Sequence, residues 1–138
     1  MAAPLVGIVN HDHDYLRLAN EGLTEAGFRT LVLLEGSNPY QTLIQERPDL
    51  VILDTWLATR DAGWTLLQLL KLDPITKNTP VLVCTSDLEA LQMRAHALEN
   101  HGTVSVLNKP YTRDALIASV EKILGSQAGP QTAELSPI

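Results

Sequence analysis

Short apolar runs alternate along this chain with longer stretches in which apolar residues return every three or four positions. Unbroken runs of Val, Ile and Leu suit strands buried on both faces, whereas the wider spacing suits helices with one apolar side. The clearest run is Leu50-Val51-Ile52-Leu53, which follows Pro48-Asp49 and ends in one carboxylate, Asp54. Further strand candidates lie at residues 5–9, 30–34, 81–84 and 104–107.

Helices are predicted between them. Leu16, Ala19, Leu23 and Ala26 fall near one face of a helix whose period begins at Tyr15, with Asp12 or Asp14 to cap it and Gly27 to end it. Phe28 is expected to pack back onto the core. Pro39 suits the first turn of a short helix over residues 39–46, stopped by Arg47-Pro48-Asp49. Leu66, Leu67, Leu69 and Leu70 give residues 64–72 a broad apolar face, closed by Asp73-Pro74. A helix is predicted over residues 88–99, with Leu91, Ala95 and Leu98 on one side. Thr112 caps a last one over residues 113–124, with Leu116, Val120, Ile123 and Leu124 inward. Residues 126–138 are polar and rich in Pro and Gly, and read as a flexible tail beyond a single domain at residues 1–125.

Five strands alternating strictly with five helices predict an α/β fold, a parallel sheet covered on both faces. With right-handed crossovers, a doubly wound five-stranded sheet of order 2-1-3-4-5, a flavodoxin-like three-layer sandwich, is the natural solution. Other doubly wound orders share the pattern.

Composition narrows the function. The 138 residues carry a net charge of −6 and no basic run, which argues against a nucleic-acid footprint and against an anionic membrane surface. No stretch approaches the length of a membrane span, and MAAPLVGIV has no basic flank for a signal peptide. The single cysteine, Cys84, lies inside an apolar run and is expected to be buried filler in a reducing, cytoplasmic setting. His11 and His13 alone are too few for a zinc site. No glycine-rich GxxxxGK[ST] loop is present, which disfavours a nucleotide hydrolase.

Each central strand leaves polar residues at the same end: Asn10, His11 and Asp12 after the first, Asp54 after the third, Thr85 and Ser86 after the fourth, Lys109 after the fifth. In the predicted order these strands are lateral neighbours, so their polar ends form one cluster around Asp54. An aspartate can attack phosphorus to form an acyl phosphate. A lysine and a hydroxyl can hold phosphoryl oxygens, and a magnesium ion held by carboxylates and a backbone carbonyl can neutralise the transferring group.

With these residues in place, the chain resembles the receiver domain of two-component response regulators, the CheY-like superfamily, from Leu5 to Leu124. The matching pieces are PDLVILD with Asp54, PVLVCTS with Thr85, and LNKPY with Lys109-Pro110-Tyr111. The resemblance implies Asp54 as phosphoacceptor, Thr85 as switch hydroxyl, Lys109 as the lysine that pairs with the phosphoryl group, and a cis bond at Lys109-Pro110. It also implies magnesium held by Asp12, Asp54 and the carbonyl of Trp56. The phosphodonor would be a sensor histidine kinase or phosphotransfer protein, a downstream protein would read the switch, and two copies would pair through the fourth and fifth helices.

Three departures set this chain apart. Asn10-His11 stand where the family has two adjacent acids, so weak magnesium binding is expected. Ala58-Thr59 replace a usual Pro-Gly pair after Asp54. Val106 stands where an aromatic ring often reports the switch. The alternative is therefore a degenerate receiver that binds a partner without phosphorylation. No output domain is expected after Leu124: either the chain acts alone on a partner or it is a piece of a longer one.

Overall fold

The computed structural model describes residues 3–34, 38–54, 57, 62–86 and 103–125. Five parallel strands form one sheet: β1 (Leu5–Asn10), β2 (Arg29–Leu34), β3 (Leu50–Asp54), β4 (Val81–Thr85) and β5 (Val104–Asn108). Their lateral order is β2-β1-β3-β4-β5, as expected from the alternation of elements. The helices are α1 (His13–Glu25), α2 (Pro39–Glu46), α3 (Ala62–Leu72) and a C-terminal helix, Arg113–Leu124. The helix expected over residues 88–99 and the tail at 126–138 lie outside the described residues.

The period-2 alternation of strand side chains divides the core into two layers. Val6, Ile8, Leu50, Ile52, Leu82 and Cys84 face α1 and the C-terminal helix, where Leu16, Leu23, Leu116 and Val120 meet them. Val9, Leu33, Val51, Leu53, Val81 and Val83 face the other way and pack with Leu43 of α2 and Trp64, Leu66, Leu67 and Leu70 of α3. Every residue of β3 and β4 is buried, which is why those strands read as unbroken apolar runs. Gly7 keeps α2 close to β1, because a Cβ there would come within 3.1 Å of Leu43 Cδ2.

Local signals set the ends of the elements. Asp12 caps α1, its side chain accepting the N–H groups of Asp14 and Tyr15. Gly27 follows α1 at φ +99, a conformation that suits glycine. Thr112 accepts from the Ala115 N–H at 3.0 Å and caps the C-terminal helix. Asp49, just before β3, accepts the Leu5 N–H at 2.7 Å and ties the starts of two neighbouring strands. Cys84 is buried, as its apolar run predicts.

Two faces differ from the periodicity. Leu69 is 41 % exposed, so the inward face of α3 is the narrower set Trp64, Leu66, Leu67 and Leu70. Residues 66, 67 and 70 lie on one side of the helix, and residue 69 is turned away from them. Ala26 is exposed because it is the C-cap, already past the last turn of α1; Gly22 joins Leu16, Ala19 and Leu23 on the buried face instead.

Candidate functional site at the carboxyl edge of the sheet

All five strands are parallel, so their carboxyl ends share one edge. Val9 of β1 lies opposite Leu53 of β3. Asn10 and Asp54 come one step later, on the side of the sheet that faces α1. Asp54 is in turn opposite Cys84, and Thr85 is opposite Asn108. Lys109 follows directly and returns to this edge.

Asp54 is 5 % exposed, and the Lys109 ammonium pairs with its Oδ2. The Lys109 side chain is 32 % exposed, so the pair joins a buried carboxylate to a cation that reaches water. Asn10, also buried, donates from Nδ2 to the same carboxylate oxygen at 3.3 Å. The Lys109 backbone N–H donates to the Thr85 carbonyl at 2.9 Å, which continues the β4–β5 ladder past the strand and fixes where the lysine leaves it. The Lys109-Pro110 bond is cis, as expected. Thr85 is buried at 1 % exposure on the neighbouring strand.

A half-buried tyrosine contact against the core also lies here, which sequence reading did not single out. The Tyr111 hydroxyl donates to the Tyr15 hydroxyl at 2.5 Å, and the two rings meet edge to face, centroids 6.5 Å apart. Burial, first, and the nearby Cys84 hold the Tyr15 hydroxyl above its ordinary range. Tyr111 is raised for the same leading reasons, and burial pushes the Cys84 thiol up to about 11. These groups are neutral fillers at physiological pH, and they join the start of α1 to the segment after Lys109. Only Tyr111, two places past the lysine, carried a local signal; its partner is 96 residues away.

Of the residues expected to hold magnesium, Asp12 and Asp54 lie among the described residues. Asp12 is exposed and spends its carboxylate on the cap of α1. His11 is exposed, and Trp56 lies outside the described residues. Among the described residues no group of three or more His, Cys, Asp or Glu converges on a point that could hold a metal ion. Asn10 presents its Nδ2 donor, not its oxygen, to Asp54. Hard divalent cations need several charged or carbonyl oxygens. Among the described residues the donor set does not fit one.

A five-stranded parallel α/β sheet of order 2-1-3-4-5 with helices on both faces defines the CheY-like class of fold, and here a buried aspartate and a lysine pair at its carboxyl edge. The match to a known family is direct: residues 6–121 fit the response regulator receiver domain, and the chain belongs to that family of signal-transduction domains. It is 29% identical over 136 residues to the DNA-binding dual master transcriptional regulator RpaA of Synechocystis, covering 98% of this chain and 55% of that protein. It is 34% identical over 104 residues to the transcriptional regulatory protein CusR of Escherichia coli, covering 75% of this chain and 44% of the relative. The chain thus spans about half the length of such curated relatives. Among solved structures, a putative response regulator from Chloroflexus aurantiacus superposes with a TM-score of 0.75 at 27% identity, over 89% of this chain and 98% of the other. The receiver domain of the sensor histidine kinase PA1611 from Pseudomonas aeruginosa, which holds a magnesium ion in its active-site cleft, shares the fold at TM-score 0.73 and 19% identity, over 90% of this chain and 99% of that one. No helix among the described residues is long and apolar enough to cross a membrane.

Proposed function

We propose that this receiver accepts a phosphoryl group on Asp54 from a phosphohistidine of a sensor histidine kinase or phosphotransfer protein, and presents the change to a downstream protein. The observation that carries the reading is the Asp54–Lys109 pair at the carboxyl end of the central strand. In the step, a lone pair on an Asp54 carboxylate oxygen attacks phosphorus. The P–N bond of the donor breaks, its electron pair returns to the imidazole nitrogen, and an acyl phosphate is left on Asp54. Lys109 stabilises the charge that builds on the phosphoryl oxygens, from a position fixed by its backbone bond to Thr85. The Thr85 hydroxyl, on the adjacent strand, is assigned the hydrogen bond to the new phosphoryl group. Because Lys109 must then serve phosphoryl oxygens as well as Asp54, the β5 end and the Tyr111–Tyr15 contact beyond it form the element that shifts between two states. Val106, 38 % exposed on β5, has no ring to turn inward, so output runs through backbone and helix displacement.

The test is intact-protein mass after incubation with acetyl phosphate, on the wild type and on Asp54→Ala. The expected result is a gain of one phosphoryl group in the wild type and none in the variant. A label retained by Asp54→Ala sinks the assignment. A second reading, a receiver that binds its partner without phosphorylation, draws on Asn10-His11 in the place of acids. It takes over if the wild type gains no mass under any condition.

A further inference from the structure

Asn10 closes β1 with a buried carboxamide that is bonded at both ends. Its Oδ1 accepts the Asp12 N–H at 3.0 Å, and its Nδ2 donates to Asp54 Oδ2 at 3.3 Å. The first bond fixes the sense of the second. Turning the amide over would set an NH2 group against the Asp12 N–H and an oxygen against the Asp54 carboxylate, so both bonds would be lost. Nor can the Asp12 N–H easily move away, because Asp12 is the cap of α1 and its own carboxylate holds the N–H groups of Asp14 and Tyr15. A helix cap therefore dictates that Asp54 faces a hydrogen-bond donor from β1.

A divalent cation placed beside Asp54 would meet that donor instead of an oxygen. Two of the tasks of a cation here are to hold the carboxylate and to offset its charge. Both are met by other groups: the Asn10 amide and the Lys109 ammonium converge on the same oxygen, Oδ2.

We propose that Asn10 is a positioning residue that takes the place of a divalent cation, its locked amide and Lys109 together holding Asp54 so that the site takes up a phosphoryl group without a metal ion. This rests on the acceptor reading above. It reverses the meaning of the missing acid pair: Asn10 is a replacement for the metal, not merely a lost ligand.

Two measurements on the full chain test it. In the first, Mg2+ alone is titrated calorimetrically into the wild type and Asn10→Asp. Expected is Mg2+ binding at least about tenfold tighter in Asn10→Asp, since a carboxylate replaces an inward-facing donor. Equal or tighter binding by the wild type overturns the proposal. In the second, labelling by acetyl phosphate is followed by intact mass in excess EDTA and in Mg2+. The wild type is expected to label Asp54 at the same rate in both, and Asn10→Ala to label about tenfold or more slowly in EDTA. Labelling that appears only with Mg2+ overturns the proposal while leaving Asp54 an acceptor. No labelling under either condition overturns the acceptor reading, and the calorimetry then decides alone whether Asn10 excludes the cation. Should Asn10→Asp fail to fold, the comparison of wild-type labelling with and without Mg2+ still decides.

Discussion

Two lysines sit at opposite ends of the same sheet, and their surroundings have little in common. Lys109, at the carboxyl edge, meets a carboxylate and is one-third exposed. Lys71, at the end of α3, is 7 % exposed and donates to three neutral oxygens: the carbonyls of Lys77 at 3.2 Å and Thr79 at 2.7 Å, and the Thr103 hydroxyl at 2.7 Å. Those acceptors sit just ahead of β4 and β5, so Lys71 pins the amino-terminal ends of two strands to α3. Burial without a carboxylate draws its pKa down to about 8. The value of Lys71 is its geometry, three donors matched to three acceptors, and its charge is a cost. The value of Lys109 is its charge, placed where an anion can arrive.

That contrast can be broken first at Lys109. Lys109→Met is expected to slow labelling of Asp54 by on the order of a hundredfold, because it removes the cation assigned to the phosphoryl oxygens. It also leaves a buried carboxylate without its counter-charge, which should cost about 2–3 kcal/mol in urea unfolding. Asp54→Ala should cost less, since the stranded lysine can swing its ammonium fully into water. An equal or larger loss in Asp54→Ala would mean that Lys109 is held as rigidly as Asp54.

Lys71→Met should behave in the opposite sense. Two carbonyls and a hydroxyl lose their donor, for about 1–3 kcal/mol of stability, while the labelling rate stays unchanged. A labelling defect in a folded Lys71→Met would show that the two ends of the sheet are coupled.

The smallest effect is a pH dependence. The folded pKa of Lys71, about 8, lies below its ordinary 10.5. Above about pH 8 the unfolded chain therefore holds more protons at this residue, and its contribution to stability rises with pH. Cys84 acts in the other direction: its folded value of about 11 exceeds the ordinary 9.0, so the unfolded chain loses that proton first and stability falls above pH 9. Tyr15 and Tyr111, also raised, add to that fall above pH 10. Between pH 8 and 9 Lys71 stands nearly alone among these groups. The melting temperature should rise slightly across that interval in the wild type and stay flat in Lys71→Met.

The two lysines also mark how far sequence reading reaches. Lys109 was legible because it follows a strand and precedes Pro110, at the same edge as Asp54. Lys71 was not, because a lysine on an amphipathic helix ordinarily faces water. Only the return of the chain at Thr79 and Thr103 provides oxygens that let it turn inward. Leu69 was misplaced for a related reason: four leucines in five positions cannot all face one side of a helix, and the neighbouring elements choose among them.

Asn10 was read as the loss of an acid, and nothing local contradicts that. A bond to a residue 44 positions away and an amide locked by a helix cap are long-range and geometric facts. The Tyr15–Tyr111 contact is of the same kind.

By itself the sequence determined the order of elements, the two layers of the core and the edge at which Asp54, Thr85 and Lys109 gather. Each follows from periodicity, capping and chain connectivity, which act over a few residues at a time. Only the tertiary structure decided which distant polar atoms face one another: Asn10 with its nitrogen toward Asp54, Lys71 turned inward to the Thr79 carbonyl and the Thr103 hydroxyl. Hydrogen bonds have direction and reach only about 3 Å, so their pairing is settled after distant strands are brought side by side.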